Sequence, residues 1–270
     1  MKLKNFKRIL VLVLAGLMTL SLLAGCSPAN KDWEDIGPKG KMIIGVTEFP
    51  PMNYKEGGNW VGFETEFAQA VCAKLGVTAE FQIINWLSKE TELKAKNIDC
   101  VWNGMTVNPD REKEMDLSQH YMINHQVLVV LAENEDKYQT AADLSGVSVV
   151  AETGSTGEET AKENEFFKDA TFTAVDTQAK ALLEVKAGTA QVAVVDYLIA
   201  ASMMGEGTDY ANLVISQYKT FEDEEYAIAF RKNSPDTLEK VNKAINELLE
   251  SGELEAIAEK YGLSDLLIKG

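Results

Sequence analysis

The spacing of apolar positions switches between a strand period and a helix period along most of the chain. Residues 42–46 form a short apolar run that reads as a strand. Phe49-Pro50-Pro51-Met52 follows and must be a loop, because adjacent prolines leave strand and helix alike. Phe63, Phe67, Ala70, Val71 and Lys74 then recur at helical spacing until Gly76. Residues 77–84 read as a strand, 86–96 as a second helix and 98–102 as a third strand. This β-α-β-α-β order argues for a parallel or mixed α/β sheet flanked by helices. After an apolar run at 127–131 a second set begins, with strands expected at 147–151, 171–174 and 191–195. The turn 153–159 opens one helix, and Asp176 is the expected cap of another that ends near Gly188. Residues 213–216 read as a short strand and 226–230 as strand-like. Ser234-Pro235 starts a long amphipathic helix with Leu238, Val241, Ile245, Leu248 and Leu249 on one face, and a last helix runs from Gly252 to near Gly262.

Two α/β blocks with connecting stretches near 124–131 and 217–227 predict two lobes joined by a double crossover. Lobe 1 is expected over 41–126 and 222–270, and lobe 2 over 127–221. Such lobes close about a ligand by hinge motion. Ligands of open α/β sheets sit at the carboxyl ends of strands, so Phe49, Trp86 and Gly104 are expected on one crevice.

The first 25 residues stand apart. Lys2, Lys4, Lys7 and Arg8 precede a run, 9–24, that is apolar or small except for Thr19 and Ser21. The run is short for a spanning helix of ~20 residues and reads as a secretory signal peptide, with an uncleaved anchor as the alternative. Leu23-Ala24-Gly25-Cys26 resembles the lipobox of bacterial lipoproteins. That resemblance implies cleavage before Cys26, a lipid (diacylglyceryl, palmitate-type) on its sulfur, and attachment outside the cell membrane. Residues 26–40, with Pro28 and Pro38, read as a tether.

Composition narrows the partners. The 270 residues are 46% hydrophobic and 25% charged, ordinary for a globular body. The formal charge is −16, and loss of the basic leader would make the body more acidic still. An acidic body repels nucleic acid and anionic lipid, so no nucleic-acid partner is expected. Beyond Cys26 only Cys72 and Cys100 remain. Their spacing fits no zinc pattern, and one falls in a helix and one in a strand, so two buried free thiols are expected. No cofactor or metal is expected, and the protein is expected to be a monomer.

The stretch from Trp102 to Arg111 carries the first candidate chemistry. A strand end, Gly104, Thr106 and Arg111 make an anion clamp, since a guanidinium is a planar fork of donors suited to a carboxylate. A surface ion pair with Asp110 or Glu114 accounts for Arg111 equally well. The Thr153–Gly157 turn is a second anion site, where small residues expose backbone N–H groups at a helix start. Ser155 with Glu158, or Thr156 with Glu159, also fits an ordinary capping box. The turn lacks a P-loop lysine, so nucleotide binding is not supported. Asp196, at the end of an apolar strand, could pair with an ammonium, but read alone it is sufficiently explained as a helix cap. Phe49 and Trp86 could sandwich a side chain or belong to the core.

Several motifs in order decide between these readings. Gly104-Met-Thr-Val-Asn-Pro-Asp-Arg-Glu-Lys resembles the signature of the extracellular solute-binding proteins of polar amino-acid ABC transporters, family 3. Phe49-Pro-Pro-Met, Val61-Gly-Phe-Glu-Thr-Glu-Phe-Ala, Thr153-Gly-Ser-Thr-Gly-Glu, Ala193-Val-Val-Asp and Tyr226-Ala-Ile-Ala-Phe-Arg-Lys match that family in sequence order, over roughly residues 40–262. The resemblance implies a two-lobed type II periplasmic-binding-protein fold that captures an L-amino acid and delivers it to an ABC permease. It implies a carboxylate site at Arg111, Thr106 and Thr156, an ammonium site at Asp196, Gly104 and Thr106, and aromatic walls at Phe49 and Trp86. Met105 and Ser155 belong to the same two motifs. Departures cluster near the expected side-chain pocket. The loop Thr47–Glu48 is short, and Met52 and Trp102 replace the family's usual residues. Glu48, Glu92 and Glu152 are acidic candidates there, and apart from Arg111 no basic residue obviously faces them. A polar uncharged or cationic ligand side chain is therefore expected over an acidic one.

Two other classes of protein share features of this sequence. A dehydratase on the same fold would need a poised acid or base. The two histidines, His120 and His125, read as rim positions, and no serine-elbow, His-Glu-x-x-His or Cys–His arrangement is present. A ligand-binding sensor component would need a spanning helix and an output domain, which the sequence to Gly270 does not carry.

Overall fold

The computed structural model describes residues 32–269. The signal segment and Cys26 lie outside them. Chain order in the first half is β1 (Lys41–Val46), β2 (Tyr54–Glu56), β3 (Asn59–Val61), α1 (Phe63–Lys74), β4 (Thr78–Ile83), α2 (Lys89–Lys94), β5 (Cys100–Val101), α3 (Pro109–Glu114) and β6 (Met115–Leu117). There follow β7 (Met122–Leu131), β8 (Ser148–Glu152), α4 (Thr156–Glu163), β9 (Thr171–Val175), α5 (Gln178–Ala187), β10 (Val192–Asp196), α6 (Tyr197–Met203) and β11 (Leu213–Tyr226). The chain closes with β12 (Ala229–Arg231), α7 (Pro235–Glu250) and α8 (Glu253–Lys260).

These strands make two five-stranded sheets and one small hairpin, β2–β3. The first sheet has the order β4-β1-β5-β12-β6, parallel across β4, β1 and β5 and antiparallel beyond. The second has the order β11-β7-β10-β8-β9, parallel across β10, β8 and β9, with β7 and β11 antiparallel. This is the two-lobed α/β architecture expected from the motif order. β7 and β11 form the double crossover: they pair from Leu213↔Leu131 in the second sheet to Tyr226↔Met122 beside the first.

The apolar period places side chains as the pleat requires. Cys100 and Trp102 face the core under α1, where the Trp102 and Phe67 rings meet edge to face at 4.8 Å. Val101 faces the opposite core with Met105, Met115 and Ala229. Cys72 and Cys100 are free, buried thiols, and burial pushes the Cys72 thiol up to about 12. α7 buries Val241, Ala244, Ile245 and Leu248.

Four local expectations are revised. Residues 86–96 divide into a 3-10 turn, Trp86–Ser88, and α2. Lys96, at φ 61, ends that segment. The cap of α5 is Thr177, whose hydroxyl accepts from the Lys180 N–H at 3.1 Å, not Asp176. The short strand 213–216 and the expected linker after it are one strand, β11, carried across register shifts by its pairing with apolar β7 despite a run of charged residues. Residues 32–40, expected as tether, pack on the body: Ile36 is 1% exposed. There the Asp32 carboxylate accepts from the Asp236 and Thr237 N–H groups at 3.1 and 3.0 Å.

Ser234 supplies no side-chain cap to α7, so Asp32 does that work from a distance in sequence. Asp32→Ala should cost about 1 kcal/mol of stability, the usual loss for a helix cap. Urea denaturation of the two proteins measures it.

Candidate functional site

A cavity opens between the sheets. The ends of the parallel strands build it. Thr47, Glu48 and Phe49 follow β1, Trp86 follows β4, and Asn103, Gly104 and Thr106 follow β5. From the other lobe come Glu152, Ser155 and Thr156 at the β8–α4 turn, Thr177 and Gln178 after β9, and Asp196 at the end of β10. Arg111, on α3, completes the lining. Parallel strands from both sheets thus aim their carboxyl ends at one space, the position open α/β sheets use for ligands.

Arg111 is set from its own turn. Asn108 caps α3 by accepting the Arg111 N–H at 2.9 Å, and the guanidinium donates to the Thr106 carbonyl at 2.8 Å. The surface-pair reading is not realised: Asp110 pairs with Lys113 at 2.6 Å and Glu114 with Lys94 at 2.7 Å. Arg111 is 5% exposed, and its nearest carboxylate is Glu159 of the second lobe, at 3.9 Å.

Gly104 sits at φ 56, where an L side chain is strained, and an added Cβ would meet the Phe49 ring at 2.6 Å. Its N–H donates to Glu64 at 2.8 Å. That fully buried carboxylate also accepts from Asn53 at 2.7 Å and from the Tyr121 hydroxyl. Burial drives the Glu64 carboxyl up to about 7 against the pull of these donors.

Asp196 occupies a cap position, but its side chain makes no capping bond. Its carboxylate accepts instead from Asn124 at 2.7 Å, from Gln126 at 2.6 Å and from Gln178. The Gln178 carbonyl returns to the Asp196 N–H at 2.8 Å. Asn124 and Gln126, on β7, also donate to Glu224 on β11. Burial, then the nearby Asp196 charge, pushes Glu224 up to about 8; the same two causes act on Glu152, and Lys89 partly offsets them.

The second-lobe turn serves two ends at once. The Ser155 hydroxyl accepts the Glu158 N–H at 3.1 Å, which is half of the expected capping box; the Glu158 carboxylate accepts the Gly154 N–H rather than that of Ser155. Thr156, the first residue of α4, lines the cavity, and its hydroxyl has no protein partner.

Of the residues expected here, Phe49, Trp86, Gly104, Thr106, Arg111, Ser155, Thr156, Asp196, Glu48 and Glu152 line the cavity. Met52, Trp102 and Met105 do not. All three are fully buried core residues: Trp102 continues the alternation of β5 into the core under α1, Met52 turns into the same core from the loop after β1, and Met105 enters the opposite core. Glu92 does not line the cavity either: it is half-buried, and its carboxylate accepts from the Asn97 amide at 2.8 Å. Sequence reasoning missed Thr47, Asn103, Thr177, Gln178 and the buried Lys89. A cap or a helix-start residue signals nothing about what its side chain faces. His120 pairs with Glu225, and His125 stacks on Tyr197 at 4.8 Å. Among the described residues no group of three His, Cys, Asp or Glu side chains is placed to hold a metal.

A guanidinium and a carboxylate on one small cavity, one from each lobe, are what a dipolar ion requires. The profile of the bacterial extracellular solute-binding proteins, family 3, matches residues 42–264, and the chain belongs to that family. Its fold is the type II periplasmic-binding-protein architecture. The arginine-binding extracellular protein ArtP of Bacillus subtilis (strain 168) is 34% identical over 259 residues, covering 94% of this chain and 98% of that protein. The L-cystine-binding protein TcyJ of Escherichia coli (strain K12) is 30% identical over 261 residues, covering 94% and 96%. The amino acid ABC transporter substrate-binding protein AbpA of Streptococcus pneumoniae, solved bound to L-arginine, superposes with a TM-score of 0.76 at 27% identity, covering 86% of this chain and 98% of that one.

The raised carboxyls make a signed pH prediction. A carboxyl whose folded pKa exceeds its unfolded one contributes stability that is complete below the unfolded value and is lost as pH rises through the folded value. Glu64, Glu152 and Glu224, raised from 4.5 to about 7, 8 and 8, therefore all favour the folded protein at the acid side of that window. The melting temperature of the ligand-free protein should fall between pH 5 and 7.5, and Glu224→Gln should flatten the fall. Thermal scans across that range check both.

Proposed function

We propose that the protein is an extracytoplasmic amino-acid receptor, held at the cell membrane by a lipid on Cys26, which captures an L-amino acid with a polar or cationic side chain and passes it to an ABC permease. The observation that carries the reading is the convergence of Arg111 and Asp196, from opposite lobes, on one cavity. The α-carboxylate of the ligand takes Arg111, with N–H groups near Thr106 and Thr156. The α-ammonium takes Asp196, the Gly104 carbonyl and the Thr106 hydroxyl. Closure removes both ligand charges from water, which is tolerable because each gains a partner. Phe49 and Trp86 flank the side chain, and Glu48 and Glu152 favour a cation or a hydrogen-bond donor at its end. The relatives' ligands, arginine and cystine, have such ends.

Titration calorimetry with a panel of amino acids should give tighter binding of arginine, glutamine or cystine than of glutamate or aspartate; tight glutamate binding with none of the others would overturn the side-chain reading. Arg111→Ala and Asp196→Ala should each abolish binding across the panel, and a loss within about 1 kcal/mol for Arg111→Ala would remove it from the site. Trp86→Ala should weaken ligands unevenly, by side chain. Mass spectrometry of the mature N-terminus, expected at lipidated Cys26, tests the anchor.

A further inference from the structure

Lys89 is a buried cation that the reading above does not use. It opens α2 directly behind the Trp86 wall and is 5% exposed. Lysines are rarely buried to this degree without partners. Its ammonium donates across the cleft to the Gly154 carbonyl at 3.1 Å, donates back to the Trp86 carbonyl at 3.4 Å, and lies 4.8 Å from the centre of the Trp86 ring. One flexible stem thus joins the wall of one lobe to the turn that precedes Ser155 and Thr156 in the other. Two further polar contacts between these faces, Asn108 to Glu159 at 3.2 Å and Arg111 to Glu159 at 3.9 Å, both end on an exposed carboxylate. The Lys89 contact, from a buried ammonium to a half-buried carbonyl, is less open to water than either, so solvent weakens it least.

We infer that Lys89 is a latch across the cavity mouth: by tying Trp86 to the Gly154 turn it positions both walls around a bound ligand and sets how slowly that ligand leaves. The inference rests on the proposed amino-acid receptor. The contact exists only when the lobes meet, so it belongs to the closed form and opposes opening. It has no role in the first encounter between ligand and the open cleft. Its loss therefore falls on the dissociation rate.

The latch also depends on charge. Arg111, Glu152, Glu158 and Glu159 face Lys89 from other elements and Glu90 from its own helix. Burial, then the Arg111 charge, lowers the ammonium to about 8. Above that pH the amine loses the charge that strengthens its bond to the Gly154 carbonyl and its hold on the Trp86 ring.

Stopped-flow fluorescence with L-arginine as the probe tests the proposal on the parent, Lys89→Met and Lys89→Arg. Lys89→Met should raise the dissociation rate by about tenfold with the association rate within about threefold, and Lys89→Arg should recover most of the difference. The parent's dissociation rate should climb between pH 7 and 9, and that of Lys89→Arg should climb less, because its guanidinium stays charged. A dissociation rate in Lys89→Met within about twofold of the parent, or a loss confined to association, overturns the latch. If the parent does not bind L-arginine, that counts against the proposed ligand class; the latch is then judged by energy transfer between dyes at Glu56 and Glu206, one on each lobe. A lower closed fraction in Lys89→Met supports it and an equal fraction overturns it.

Discussion

The constraint on which the site depends is a permanent positive charge held out of water. Arg111 cannot give up its proton, and the fold buries it with a carbonyl partner at 2.8 Å and a carboxylate no nearer than 3.9 Å. An isolated buried charge is costly, and a single carbonyl compensates only part of that cost. In the proposed receptor the remaining compensation comes from the anionic end of the ligand. The opposite problem is solved differently across the cleft. Asp196 is saturated with amide donors from Asn124, Gln126 and Gln178, which fix its geometry and leave its charge uncancelled. Neutral donors orient a carboxylate without neutralising it, so its field remains available to a cation.

The two half-sites are braced by unlike means. In the first lobe a fully buried carboxylate, Glu64, collects donors from three separate segments: the loop after β1, the Gly104 turn, and Tyr121 at the start of the crossover. Such an arrangement makes the position of Gly104 a property of the whole lobe. In the second lobe the bracing is local to a ring of amides around β10, with Gln178 using both ends of its amide on Asp196.

Much of this was legible in the residues. Period and order were enough for the two blocks and the double crossover, because each strand's apolar face has to meet a core. That Gly104, Thr106, Arg111, the second-lobe turn and Asp196 face one cavity was legible as a set, since their motifs recur together, though each alone had an ordinary explanation. The errors have one physical source: a strand's end shows which residues are near a cleft but not which face they take. Trp102 and Met52 sit within two or three residues of lining positions and turn into the core. Glu92 shares a helix with Lys89 and bonds Asn97 away from the cavity. Lys89 was invisible for the converse reason: in sequence it is one lysine among many, and its contact with the Gly154 turn comes from a distant segment. Asp32 escaped similarly, because polar residues beside prolines carry no sign of the helix they cap.

Asn124 and Gln126, on one strand of the crossover ribbon, grip Asp196, and Glu224 on the other strand accepts from the same two amides. The crossover between the lobes is therefore also the cradle of the carboxylate. In the proposed receptor, torsion of the ribbon reaches Asp196 through those amides, much as a handle and its jaw are forged in one piece. Stiffness of the ribbon and strength of grip cannot be adjusted independently, and substitutions far out along β7 or β11 act on both together.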